Sequence, residues 1–159
     1  MAQLTSPSFD FKTVRKTVKL DATGSVNIFE VLGTVSLEYI VGRCVTATDS
    51  TTCTGAAFKL NSGVDITDSA MGTDLSGLAE GDAFAKINQT ADALVLMPAG
   101  TTPIVTEGSM VKTQACLLSV LPGKAPIYLT FDYTGDKSTD IDIEFTAIYK
   151  PLTGNGEMR

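Results

Sequence analysis

The clearest pattern in the sequence is a strict alternation of apolar and polar residues near its C-terminal end. The apolar positions are Ile141, Ile143, Phe145, Ala147 and Tyr149. The polar positions are Asp140, Asp142, Glu144, Thr146 and Lys150. A period of two residues is typical of a β-strand that has one face in a core and the other in water. We therefore predict a long, half-buried strand in this segment.

A second segment, from Val35 to Thr46, alternates in the same way. Its apolar positions are predicted to share one buried face, and they are Val35, Leu37, Tyr39, Val41 and Val45. The polar residues Ser36, Glu38 and Thr46 are predicted to lie on the opposite face. Because Arg43 interrupts the apolar row, we expect it near the end of the strand or on a face that contacts a partner.

Shorter apolar runs complete the pattern. They are Val14–Leu20, Val26–Val31, Ala56–Leu60, Asp82–Ile87, Ala93–Met97, Val111–Val120 and Ile127–Tyr133. Gly, Pro, Asn and Asp separate these runs about every ten residues, which predicts an all-β protein. We expect an antiparallel β-sandwich or jelly roll of about eight or nine short strands with extended terminal arms. The stretch Ala115–Leu118 is apolar at every position, so its strand is expected to lie centrally with both faces buried.

The length of 159 residues suits a single domain with short extensions. We assign residues 21–152 to one β-sandwich domain. Residues 1–20 are expected to form a basic and aromatic arm that leads into the first strand. Residues 153–159 are expected to form a flexible C-terminal tail.

Positive charge is concentrated in the expected arm. The chain has a net charge of −6, yet residues 1–20 carry +3, which leaves −9 for residues 21–159. The arm residues proposed to bind a partner are Phe9, Phe11, Lys12, Arg15, Lys16 and Lys19. Aromatic rings in a terminal segment need a surface to bury against, and clustered cations suit an acidic neighbour. The alternative is that the four cations are solvent-facing residues of the first strand.

The composition also limits the chemistry that the chain can perform. It contains no His and no Trp, so catalytic triads, His proton shuttles and His metal ligands are excluded. Paired carboxylates about 5–9 Å apart can still hydrolyse glycosides. The available sets are Glu30 with Glu38, or Asp140 with Asp142 and Glu144. No acid among them has a recognisably apolar setting, so we expect no enzyme and no cofactor.

An acid-rich loop is the candidate region for a bound cation. Asp65, Asp68 and Asp74, followed by Glu80 and Asp82, offer the oxygen ligands that Ca²⁺ prefers. Their spacing matches no known calcium loop. We therefore expect turn and capping roles for these side chains and no metal site.

Cysteine usage and the lack of targeting segments bear on location. Cys44, Cys53 and Cys116 are widely spaced and form no CxxC pair, so we expect reduced, mostly buried thiols in a protein made in a cytoplasm. A Cys44–Cys53 disulfide across a hairpin is the alternative. No secretory signal and no run of about 20 apolar residues is visible.

Three segments carry a likeness to a known group of proteins. They are Ser25–Gly33, Glu38–Gly42 and Phe145–Gly154. Together they resemble the small β-rich virion proteins of tailed bacteriophages. In that group an early apolar strand leads into an F-x-V-x-G-like stretch, and a late strand ends in an aromatic residue followed by x-Pro-Leu-Ser/Thr. The middle of the chain, residues 48–106, departs from the group.

The resemblance implies a structural component of a phage particle. It points to a capsid decoration or cement protein on the head surface that binds the major capsid protein or neighbouring virion subunits. It also implies a homo-oligomer, with a trimer favoured, that is made in the host cytoplasm. Independently of the resemblance, the acidic net charge argues against nucleic-acid binding, and the short apolar runs argue against a membrane. The alternative is a tail- or fibre-associated module that binds a host-surface glycan or protein through residues 48–92.

Overall fold

A computed structural model describes residues 10–21, 24–47, 52–67, 73–86, 95–97, 116–120, 123–135 and 140–159. The strands in these ranges are β1 (Lys12–Leu20), β2 (Gly24–Leu32), β3 (Thr34–Ala47), β4 (Cys53–Leu60), β5 (Ala83–Lys86), β6 (Val95–Met97), β7 (Cys116–Ser119), β8 (Ile127–Gly135), β9 (Ile141–Pro151) and β10 (Glu157–Met158). The described ranges contain no helix, so none there is long and apolar enough to cross a membrane. The all-β prediction is confirmed. Of the ten strands, β10 is the one that the sequence pattern does not predict.

The strands form two antiparallel sheets. Sheet A has the order β1-β9-β3-β5-β6, and β7 pairs with β3 beside this path. Sheet B has the order β10-β2-β8-β4. The inner faces of the two sheets share one hydrophobic core, which confirms the predicted β-sandwich. The jelly-roll alternative stays a prediction.

Four phenylalanines at the centre of the core join the two sheets. Phe58 and Phe131 come from sheet B, and Phe84 and Phe145 come from sheet A. The ring centroid of Phe131 lies 5.2 Å from that of Phe145 and 5.4 Å from those of Phe58 and Phe84. Aromatic rings at these separations stabilise a fold by more than the burial of their apolar area alone. The cluster therefore joins β5 and β9 of sheet A to β4 and β8 of sheet B.

The alternation in β9 is confirmed over the whole strand. Its inward residues, from Ile141 to Tyr149, are buried at every second position. The polar residues between them are only half-buried and lie on the outer face of sheet A. β9 pairs with β1 on one side and with β3 on the other, so it lies inside the sheet.

The alternation in β3 changes phase at a β-bulge, and this corrects the prediction for its second half. The register with β9 shifts between Leu37 and Tyr39. Before the shift, Val35 and Leu37 are buried as predicted. After it, the buried residues are Ile40, Gly42 and Cys44. The outer face then takes Tyr39, Val41 and Val45, which the unbroken alternation predicts to be buried. The extra residue moves the following side chains to the other face, until a second shift between Cys44 and Thr46 restores the original phase.

Two further predictions need correction. The strand β7 is not buried on both faces, because Leu117 on its outer side is 67% exposed. Residues 153–159 are not a free tail: they form a turn and then β10, which pairs with β2 opposite Val31 and Leu32. Met158 is buried in the core, and this apolar contact holds the C-terminal residues against sheet B.

Candidate functional site: the basic edge of β1 and its adjoining pocket

The strand β1 is an edge strand of sheet A, and it contains the four cations of the predicted arm. It pairs with β9 over all 9 residues, from Lys12 opposite Tyr149 to Leu20 opposite Ile141. The cations therefore belong to the sandwich itself, as the strand alternative predicts. Phe11 precedes the strand and is 65% exposed. Phe9 lies outside the described residues.

The backbone groups of β1 divide between a paired side and an open side. Leu152, which follows β9, donates its N–H to the carbonyl of Thr34 in β3. Because backbone groups alternate in direction along a strand, even-numbered residues of β9 face β3 and odd-numbered ones face β1. Cys44 agrees with this assignment: it stands opposite Ile143 yet exchanges its hydrogen bonds with residues 81 and 82.

The register then identifies which residues of β1 point their backbone outward. Odd-numbered residues of β9 stand opposite even-numbered residues of β1. The N–H and C=O groups of Thr13, Arg15, Thr17 and Lys19 are therefore directed away from β9. Within the described part of the chain, no backbone group pairs with them there. An unpaired edge of this kind is a template for another strand.

The cations of β1 extend over both faces of this edge. Arg15 and Lys19 stand opposite polar residues of β9, on the outer face of sheet A. Lys12 and Lys16 stand opposite buried residues, on the side that faces sheet B. Lys16 Nζ donates to the backbone carbonyl of Asn27 in β2 at 3.2 Å and so spans the gap between the sheets.

Lys19 has a carboxylate partner at the end of the edge. Its Nζ lies 3.0 Å from Asp140 Oδ1, and both side chains are largely exposed. The hydrogen bond to Asp140 and the charge of that carboxylate raise the pKa of Lys19. An exposed pair of this kind contributes little to stability, so Lys19 remains available to other carboxylates.

The edge of β4 in sheet B is closed, in contrast to that of β1. The chain after β4 folds back along it and supplies acceptors for its outward N–H groups. These bonds are Leu60 N–H to Val64 O at 2.8 Å, Phe58 N–H to Thr67 Oγ1 at 2.8 Å, Ala56 N–H to Thr73 O at 3.0 Å and Cys53 N–H to Ser76 Oγ at 3.1 Å. With its donors already bonded, β4 cannot accept a further strand.

A pocket of about 450 Å³ adjoins the start of β1. Its charged lining residues are Lys12, Lys124 and Glu157. Four glycines and Asn155 supply much of the remaining wall. Gly33 in this wall has a φ of 59°, in the left-handed region, and packs against Asn155 so closely that a side chain would not fit. The lining thus contains two lysines and one carboxylate at the start of β1.

The acid-rich loop is occupied by local contacts. Asp65 lies 3.7 Å from Lys59 Nζ, and Asp74 Oδ1 accepts the Ser76 N–H at 2.8 Å. The hydrogen bonds from Ser76 lower the pKa of Asp74. Asp68 lies outside the described residues. No group of three or more candidate metal ligands occurs among the residues described.

Each of three candidate carboxylates has a local hydrogen-bond partner. Glu30 lies in sheet B, where its Oε2 accepts Arg159 Nε at 2.7 Å. Glu38 lies in sheet A and accepts Ser36 Oγ at 2.7 Å. Asp142 and Glu144 follow one another along the outer face of β9, and Asp142 accepts Thr46 Oγ1 at 2.8 Å. These partners fit structural roles.

Cys44 and Cys53 are free and buried, so the alternative of a disulfide between them is wrong. Burial raises the pKa of both thiols, and that of Cys53 reaches about 12 with a further contribution from the charge of Asp74. Both thiols are therefore protonated near neutral pH, as expected of small hydrophobic residues.

The open edge and the pocket are features that sequence reasoning missed. The signal for the edge lies in the apolar positions Val14 and Val18, which alternate with cations as an edge strand requires. The pocket has a weaker signal, namely glycines in two turns that are far apart in the sequence.

No family model, curated protein or solved structure matches this chain. A functional assignment therefore depends on the geometry of the β1 edge and on the sequence resemblance.

Proposed function

We propose that this protein is a non-enzymatic structural component of a tailed-bacteriophage particle, namely a decoration or cement protein that binds the assembled head. The main observation in support is the open, basic edge of β1 on an otherwise acidic sandwich. The resemblance of three segments to small phage virion proteins gives further support. The proposed partner is the major capsid protein or a neighbouring virion subunit.

The fold supplies the properties that such a role needs. Two sheets joined by a shared aromatic core make a rigid body. The cations of β1 attract an acidic surface and orient the approach to it. A protein that binds only the assembled shell stabilises it by mass action. In this proposal the protein acts as a small homo-oligomer, with a trimer favoured.

Co-sedimentation with capsids that lack the protein tests this proposal. We expect the Arg15→Gln, Lys19→Gln double variant to bind at least about tenfold more weakly than the wild type, because both cations lie at the docking edge. The control is Arg43→Gln, Lys150→Gln, which removes the same number of positive charges from the outer face of β3 and β9, the strands inside sheet A. Binding by the wild type should also fall steeply between about 50 mM and about 500 mM salt.

Other outcomes contradict the proposal. Equal losses in the two double variants, or binding that does not depend on salt, would exclude β1 as the docking edge. Binding to tails, fibres or host cells in place of heads would support the host-binding alternative. Removal of residues 1–11 leaves β1 intact, and unchanged capsid binding by that truncated protein would exclude Phe9 and Phe11 from the interface.

A further inference from the structure

The open side of β1 has the properties of a strand-addition site. Four residues with outward backbone groups extend along it from Thr13 to Lys19. At about 3.4 Å for each residue this edge is about 20 Å long, which matches an added strand of about seven residues. Main-chain hydrogen bonds would supply affinity, and side chains on both faces would select the partner.

A second copy of β1 is a poor occupant of this edge. Self-pairing would bring eight cations of two strands together, and like charges directly opposite one another destabilise a sheet. The charges are Lys12, Arg15, Lys16 and Lys19 from each copy. Lysine on an edge strand is a common means of preventing this kind of self-association.

The paired side of β1 shows which chemistry suits it. There its neighbour β9 places Asp142 directly opposite Lys19 and Glu144 opposite Thr17. Opposite charges on adjacent strands stabilise their pairing. A strand on the open side would meet the same cations, with Arg15 and Lys19 on the outer face and Lys12 and Lys16 on the other.

We propose that β1 accepts an acidic, extended segment of a partner protein as an added strand of sheet A. This inference rests on the proposed function only for the identification of the partner as a shell subunit. The carboxylates of the segment alternate with other residues and so lie on one face of the added strand. In one register they lie beside Arg15 and Lys19, and in the other they lie beside Lys12 and Lys16. The end of the added segment that is next to Lys12 lies beside the pocket, whose lining also includes Lys124.

The test uses a synthetic nine-residue peptide in which Glu and Thr alternate, added to the full-length protein. Amide hydrogen exchange supplies the readout. In the free protein the amides of Val14, Lys16 and Val18 should exchange slowly, and those of Thr13, Arg15, Thr17 and Lys19 should exchange fast. The peptide should slow the second set by at least about tenfold and leave the first set unchanged.

Two control peptides separate charge from strand pairing. A peptide with Gln in place of Glu should bind at least about tenfold more weakly, because it lacks the carboxylates. Peptides that are N-methylated at every second residue, in either frame, keep the charges and lose backbone donors. Tight binding of both N-methylated forms would overturn strand addition and leave a purely electrostatic contact.

Substitutions at Thr17 test whether the backbone of β1 pairs with the peptide. Thr17→Pro removes an outward N–H that β9 does not use, and proline is tolerated at such edge positions. We expect it to lower peptide affinity by about tenfold or more, while Thr17→Val leaves it unchanged. If circular dichroism shows that Thr17→Pro does not fold, the N-methylated peptides still test strand addition on the wild-type protein.

The outcomes distinguish this inference from the proposed function. If the peptide fails to bind while capsids bind normally, strand addition is wrong and the decoration role stands. If the peptide protects the four outward amides while capsids do not bind, β1 is a strand-addition site and the proposed partner is wrong. Concentration-dependent protection of the same amides without peptide would make a second copy the occupant and overturn the inference.

Discussion

At the scale of single residues, burial determines the chemistry of the cysteines. Cys53 is fully enclosed where β4 meets the chain around Leu75, and the loss of solvent raises the pKa of its thiol to about 12. In the unfolded chain the thiol ionises near the ordinary value of 9.0. Between these values the unfolded state releases a proton that the folded state retains, so stability falls as pH rises.

The prediction from Cys53 is a measurable loss of stability in alkali. Between about pH 8 and about pH 10 the wild type should lose about 1.4 kcal/mol more than a Cys53→Ala variant. Urea unfolding at the two pH values measures this difference, and the variant corrects for the other groups that titrate. An identical pH dependence in both proteins would show that the thiol is not shielded from solvent.

At the scale of elements, the bulge in β3 decides which residues face the core. It lies where Glu38 and Tyr39 follow Leu37, and neither residue type identifies a bulge in advance. The period of two in the sequence is correct on each side of it, but the phase is not continuous. This is why Val35 and Val41 share a face in the sequence pattern and lie on opposite faces in the fold.

These two valines allow a matched test of the bulge. Val35→Thr places a hydroxyl in the core and should lower the free energy of unfolding by about 1–3 kcal/mol. Val41→Thr places it on the outer face and should change stability by about 0.5 kcal/mol or less. Chemical denaturation of both variants measures the difference. Similar losses at both positions would mean that β3 has no change of phase.

An element can be predicted from the sequence when its burial follows a local alternation of residues, and it is missed when its burial depends on tertiary packing. The strand β9 is predicted correctly throughout, because one side of it is in the core and no bulge disturbs it. The strand β10 is missed, since its 2 residues are too few to show a period and Met158 is buried by tertiary packing into the core. At the candidate site, the cations of β1 are visible in the sequence, whereas the direction of its backbone groups depends on pairing with β9.

At the scale of the whole molecule, the aromatic cluster makes the two sheets one cooperative unit. Phe131 is fully buried and stacks near Tyr133 as well as the three other phenylalanines. Its truncation removes contacts to both sheets at once and leaves a cavity between them.

We predict that Phe131→Ala lowers the free energy of unfolding by about 3–5 kcal/mol. Urea titration followed by circular dichroism measures this loss, and the loss of both sheets should occur in a single transition. Phe11→Ala is the matched control, because this ring is exposed and its removal should have almost no effect. Two separate transitions in the Phe131 variant would contradict the joint core.

The basic edge of β1 gives the protein two opposite responses to ionic strength. Salt would weaken the attraction of its cations to the proposed acidic partner, and the same salt weakens the repulsion between the edges of two copies. Dilute buffers would therefore favour the proposed complex, and concentrated ones lower the barrier to edge-to-edge aggregation. The charges that we propose to select a partner thus also oppose self-association of the free protein.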